Sequence, residues 1–133
     1  MGKLEMKMSK KLIIANNDGH GGFFTGKINS VKDLEKFMEG YRDTTLYAFE
    51  WCVNLGTKIN FLSRNFELFG TGARSDFTRA RRGDRKIAKT LANFAKRGVD
   101  PLTVVTEKGH EVGIKVCASI RMNPDYDAKW MGT

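Results

Sequence analysis

The residues of this chain best suited to chemistry fall in three short polar runs, each directly after an apolar stretch. Asn16, Asn17 and Asp18, with His20 close behind, follow LIIA; Asn54 follows LYAFEWCV; Arg121 and Asn123 close the run IKVCASIRMN. Amides, a carboxylate, an imidazole and a guanidinium donate and accept directional hydrogen bonds, a set that suits a hydroxyl-rich or anionic ligand. If the three apolar stretches are parallel strands, these groups share one rim, where ligands collect in parallel α/β proteins. A plainer use of the same residues is to satisfy loop backbone, as Asn and Asp do in turns.

The elements that must position this rim are legible from periodicity. Lys11 to Asn17 is a short apolar run breaking into the loop DGHGG, which continues to Ser30. Ser30 and Asp33 have capping-box spacing, and Val31, Leu34, Phe37, Met38 and Tyr41 then form one helical face. Leu46 to Asn54 alternates: Tyr47, Phe49, Trp51 and Val53 lie on one side, Glu50, Cys52 and Asn54 on the other. Leu55 to Gly83 is read as a long irregular connection, with a short helical turn within FLSRNFELFG. Asp84 to Arg97 carries Ile87, Ala88, Leu91, Phe94 and Ala95 at helical spacing. Asp100 then caps a helix with Pro101 at its first position, and Gly113 ends it in a left-handed conformation. In the last strand Ile114, Val116, Ala118 and Ile120 oppose Lys115, Cys117, Ser119 and Arg121. Strands alternating with helices predict an α/β fold with a parallel sheet and right-handed crossovers.

By the same alternation Glu50 points with Cys52 and Asn54, one layer below the rim. A carboxylate there needs a partner, and Arg121 on the neighbouring strand is the candidate, which makes Glu50 an orienting group rather than a reacting one.

Composition narrows the classes. The chain has 133 residues, 41% of them hydrophobic, enough for one domain with a core. No apolar run approaches the ~20 residues of a membrane helix, and Leu12 to Ala15 is too short for a signal-peptide core, so the cytoplasm is the default expectation. Cys52 and Cys117 make no disulfide framework and are expected to be small packed thiols. No P-loop, GxGxxG, paired CxxC or HExxH occurs, and His20 and His110 are far apart, so neither a cofactor nor a metal is expected. Lys and Arg number 23 against 15 acids, a net charge of +8. The run TRARRGDRKIAK, with Arg79, Arg81, Arg82, Arg85, Lys86 and Lys89, is the place where nucleic-acid phosphates would bind; an exposed helix start is the plainer reading. Phe66, Phe69 and Phe77 lie nearby and either stack on a ligand or plug the loop to the core.

The ending ASIRMN, preceded by GVDPLTVVTEKGHEVGIKV, resembles glycoside-hydrolase-like TIM-barrel proteins, in which a DPL-type helix leads into a strand ending in a SIRMND-type run. ANNDGHGG after the first strand and WCVN at the end of the second fit the same pattern in the same order, so the resemblance covers Leu12 to Tyr126. It implies the first three βα units of a (β/α)8 barrel, with Asn17, Asp18, His20, Asn54, Arg121 and Asn123 lining a sugar-binding mouth. One departure is that Pro124 stands where the pattern has Asp, which shifts the carboxylate to Asp125. A complete barrel takes about 250 residues, and the paired carboxyl groups of a glycosidase usually come from later strands. The expectation is therefore part of a larger carbohydrate-active barrel, binding sugar but inactive alone, whose open sheet edges pair with the rest of the barrel or with another copy. The alternative is a small basic nucleic-acid-binding module.

Overall fold

The computed structural model describes residues 11–71 and 80–122. Asn123, Asp125, Phe77 and Arg79, singled out above, lie outside them. The element order is β1 (Ile13–Asn17), α1 (Gly21–Thr25), α2 (Val31–Glu39), β2 (Leu46–Cys52), β3 (Asn54–Leu55), β4 (Lys58–Ile59), α3 (Arg82–Lys96), α4 (Pro101–Glu111) and β5 (Lys115–Ser119).

Three strands form one sheet in the order β1-β2-β5, and both pairings are parallel. Asn17 and Ala118 flank Trp51, while Asn16 and Cys117 flank Glu50. The alternation in β2 decides which side the helices cover. Phe49 and Trp51 are 0% and 2% exposed and join one cluster with Phe23 of α1, Leu34 and Met38 of α2, Ile87, Leu91 and Phe94 of α3, and Val105 of α4. Phe23 meets the Trp51 ring edge-on with centroids 6.1 Å apart, and Tyr41 lies 5.2 Å from Phe49. Each such large side chain taken out of water contributes about 1.5–3 kcal/mol, so this face anchors the fold. The opposite face carries Ile14, Asn16, Glu50, Lys115 and Cys117, and Ile14 is 54% exposed.

Local sequence explains the helix positions. Ser30 Oγ accepts from Asp33 N at 3.2 Å and its hydroxyl donates to the Asp33 carboxylate at 2.9 Å, while that carboxylate also accepts from Asn29 N at 3.1 Å, so the helix start is capped as the Ser30–Asp33 spacing predicts. Gly113 (φ +89°) closes α4, with Ile114 N donating to Gly109 O at 3.0 Å across the left-handed turn. Gly109 serves packing: a Cβ there would lie 2.3 Å from Val116 Cγ2, so its hydrogen lets α4 lie close on β5.

Four expectations need correction. The loop after β1 contains α1, where Phe23 is drawn into the core against Trp51. No helical turn forms within residues 61–70: β3 and β4 make an antiparallel hairpin before them, and Ile59 bridges to Leu68. Phe69, fully buried, plugs this loop to the core, while Phe66 is 62% exposed. Asp100 stands at the N-cap of α4, but its carboxylate accepts from Leu62 N at 3.0 Å and from the Thr103 hydroxyl at 2.9 Å, tying the long connection to the helix start. Cys117 is exposed rather than packed, because it faces the side of the sheet away from the helices; Cys52 is buried.

A charged cluster joins the ends of α2 and α4. Arg42 pairs with Glu39 and lies 3.1 Å from Glu111, and Lys108 reaches Glu39 at 2.9 Å and Glu111 at 2.8 Å. The Arg42 hydrogen bond, followed by that of Lys108, lowers the Glu39 carboxyl to about 2. A carboxyl whose folded pKa lies below its unfolded value near 4.5 stabilises the fold fully above that value and loses the contribution as pH falls through about 2. Urea midpoints are therefore expected to hold from pH 7 to about 5 and then to fall towards pH 2, with Glu39→Gln flattening part of that fall. An equally steep acid loss in the variant would show that Glu39 is not involved.

Candidate functional site

Parallel pairing brings the three strand ends to one side of the molecule, and side chains continue the order where the ladder stops. The last backbone step is Val53 N donating to Ser119 O at 2.9 Å. Beyond it, Asn54 Oδ1 accepts from Arg121 N at 2.8 Å and Asn54 Nδ2 donates to Arg121 O at 3.1 Å. The carboxamide thus takes the place of one more backbone rung and fixes the position of Arg121. Its Nδ2 also donates to Gly56 O at 3.3 Å, and Cys52 Sγ donates to its Oδ1 at 3.3 Å. Arg121, held this way, reaches across the end of β2 and pairs with Asp18 at the end of β1.

The other side of the rim is set by a turn. Asn17 Oδ1 accepts from Gly19 N at 2.8 Å, folding the chain directly after Asp18. Gly19 has φ +71°, and a Cβ on it would lie 1.8 Å from Cys52 O. Asn60, fully buried, locks the turn to β2: its Nδ2 donates to Gly19 O at 2.9 Å and to Cys52 O at 2.8 Å. The His20 Nδ1 lies 2.7 Å from the Asp18 carbonyl. A carbonyl only accepts, so Nδ1 carries the proton, and Nε2 of a neutral ring is the acceptor.

The rim therefore holds Asp18, His20 and Arg121 together, with Asn17 and Asn54 spending their amides on backbone. The Arg121 and Asp18 side chains are 39% and 58% exposed. An ion pair this open contributes only about 0–1 kcal/mol to stability. What it provides is a planar donor fork beside a carboxylate acceptor, open to solvent.

No family model matches the chain, and no curated protein matches it. The chemistry of the rim accordingly rests on its own geometry.

Glu50 is half-buried one layer down, and its partner is Asn16, whose Nδ2 donates to Glu50 Oε2 at 2.9 Å. This corrects the expected pairing with Arg121, which turns instead to Asp18 beyond the strand end. Among the described residues no three His, Cys, Asp or Glu side chains gather as a metal-binding group, and no helix is long and apolar enough to cross a membrane. The basic run divides. Arg81 is committed to the buried Asp84, at 2.8 and 3.1 Å, and stacks over Phe24 at 5.1 Å. Arg82, Arg85 and Lys89 are exposed. Sequence reasoning missed Asn60, which sat in a stretch read as irregular and is carried into the core only by the hairpin. Asn16 was placed with the rim residues, but its pairing with Glu50 was not foreseen.

Proposed function

We propose that this chain is a carbohydrate-binding α/β unit resembling the first part of a glycoside-hydrolase-like TIM barrel, with Asp18, His20 and Arg121 facing the sugar. The Asp18–Arg121 pair across three parallel strand ends is the observation that carries the reading. A guanidinium fork next to a carboxylate matches adjacent sugar hydroxyls, which need a donor and an acceptor side by side. Asn17 and Asn54 act one step back, holding Asp18 and Arg121 in register, and Glu50 with Asn16 supports the floor. Two features favour the barrel reading. Consecutive strands of the sheet lie side by side in chain order, and helices from both connections between them join one core on the same face of the sheet. Among the described residues neither outer strand has a partner on its far edge, and Leu12 54%, Ile13 53% and Ile120 67% are exposed beside those edges, where further strands of a barrel or a second copy would pair. The unit binds sugar, and hydrolysis would need carboxyl groups from elsewhere in a complete barrel.

The test is titration of the full chain with a panel of neutral and uronic-acid-containing oligosaccharides, followed by NMR. At least one is expected to bind, with shifts at Gly19, His20 and Arg121. Asp18→Ala and Arg121→Ala should each weaken it by roughly tenfold, about 1.4 kcal/mol, with unchanged melting behaviour. Failure of every saccharide to bind, or binding indifferent to both substitutions, would refute the reading.

A further inference from the structure

A second polar recess lies away from the rim, on the outer face of α3. An open cleft of about 520 Å³ is lined by Gly26, Asn29, Lys86, Lys89, Thr90 and Asn93. Its floor and one wall follow from helical geometry: Lys86, Thr90, Asn93 and Arg97 recur along one stripe of α3, against the Gly26–Asn29 turn. Arg97 lines a recess of about 20 Å³ that shares Asn29 and Asn93 with the cleft. Cations therefore stand at both ends of a groove whose lining includes no carboxylate.

Three side-chain details suggest a ligand rather than a solvated surface. Lys86 Nζ is held over the cleft by the Thr25 carbonyl at 3.2 Å, so its position is set by the fold. Lys89, one turn further on, is exposed and makes no ion pair among the described residues. Thr90 is only 4% exposed, and among the described residues its hydroxyl has no hydrogen-bond partner. A buried threonine in a helix ordinarily returns its hydroxyl to the preceding turn. Here the hydroxyl lines a recess with two ammonium groups and two carboxamides, all able to donate to one oxyanion.

We infer that this cleft binds the phosphoryl group of a small phosphorylated molecule. The oxyanion sits between Lys86 and Lys89, takes a hydrogen bond from Thr90, and the rest of the ligand extends past Asn93. The volume lies within the usual range for small-molecule sites of about 300–1,000 Å³ and exceeds what a lone phosphate fills. None of the lining residues belongs to the rim, so this inference stands apart from the saccharide reading.

The experiment titrates the full chain with inorganic phosphate, ribose 5-phosphate and ribose, read by calorimetry and by ³¹P line broadening. Saturable binding of both phosphates, with ribose 5-phosphate tighter and ribose inert, is the expected result. Thr90→Val, which keeps shape and removes the hydroxyl, should weaken ribose 5-phosphate at least fivefold, with Thr90→Ser restoring it; Lys89→Ala should weaken it about tenfold. Circular dichroism melts confirm that each variant is folded. The inference is overturned by absence of saturable phosphate binding, or by binding that ignores Thr90 and Lys89. It is equally overturned if single-stranded RNA binds through Arg82 and Arg85 while neither phosphate does.

Discussion

Gly19→Ala is expected to be the most damaging single-methyl change in this protein. The added Cβ would lie 1.8 Å from the Cys52 carbonyl oxygen and 2.7 Å from Asn60 Nδ2, and the backbone there has φ +71°. The left-handed conformation alone disfavours alanine by about 1 kcal/mol. The clash is with backbone, which has no rotamer to escape to, so the turn must leave β2. Moving it separates Asn60 from Gly19 O and Cys52 O, stranding a buried amide already short of one partner at Oδ1. Together these effects should exceed about 3 kcal/mol, a large share of a small domain's stability. Gly21→Ala, two residues on, meets nothing within 4 Å and sits in α1, so it should be neutral or slightly stabilising. Urea denaturation of the two variants decides the matter. A Gly19→Ala protein within ~0.5 kcal/mol of wild type would mean that the turn does not pack on Cys52.

Arg81→Ala is expected to rank second, by a different mechanism. The Asp84 carboxylate is 1% exposed and receives both guanidinium bonds, at 2.8 and 3.1 Å. Removing the partner leaves a buried charge uncompensated, which typically costs about 3–5 kcal/mol. Asp84 lies in the first turn of α3, where free N–H groups and the helix dipole favour an anion, so about 2–3 kcal/mol is the expected loss. The stacking on Phe24, at 5.1 Å, is lost as well. Arg82→Ala, exposed on the same helix, should stay within ~0.5 kcal/mol. The double variant Arg81→Ala/Asp84→Asn should recover part of the loss, because the uncompensated charge is then gone; no recovery would show that Arg81 matters through packing alone. The contrast also bears on nucleic-acid experiments. Weakened retention in an Arg81 variant would report on folding, whereas Arg82 and Arg85 report on the surface.

Much of the frame was legible in the residues. Alternation in Leu46 to Asn54 and Ile114 to Ile120, and the Ser30–Asp33 and Gly113 signals, are short-range consequences of burial and of backbone geometry. They reappear in β2, β5, α2 and α4 with bounds shifted by one or two residues. The α/β class with a parallel sheet followed from their order. The elements not foreseen, α1 and the β3–β4 hairpin, are short. Their intrinsic signals are weak, and packing of Phe23 on Trp51 and of Phe69 in the core supplies the stability that propensity does not.

For the rim, the chain by itself determined that Asp18, Asn54 and Arg121 end their strands, since that is a matter of local periodicity. Which of them keep their side chains open to solvent was decided only in three dimensions. Asp18 and Arg121 are 103 residues apart and meet because β1 and β5 flank β2 in parallel, while Asn54 lies where its amide can take up the Arg121 backbone. The same holds for Arg81, basic by composition yet committed to a carboxylate that folding buries. A residue type fixes what a side chain is able to bind; the free energy of each partner depends on distance and desolvation, and those exist only once the strands and helices have packed.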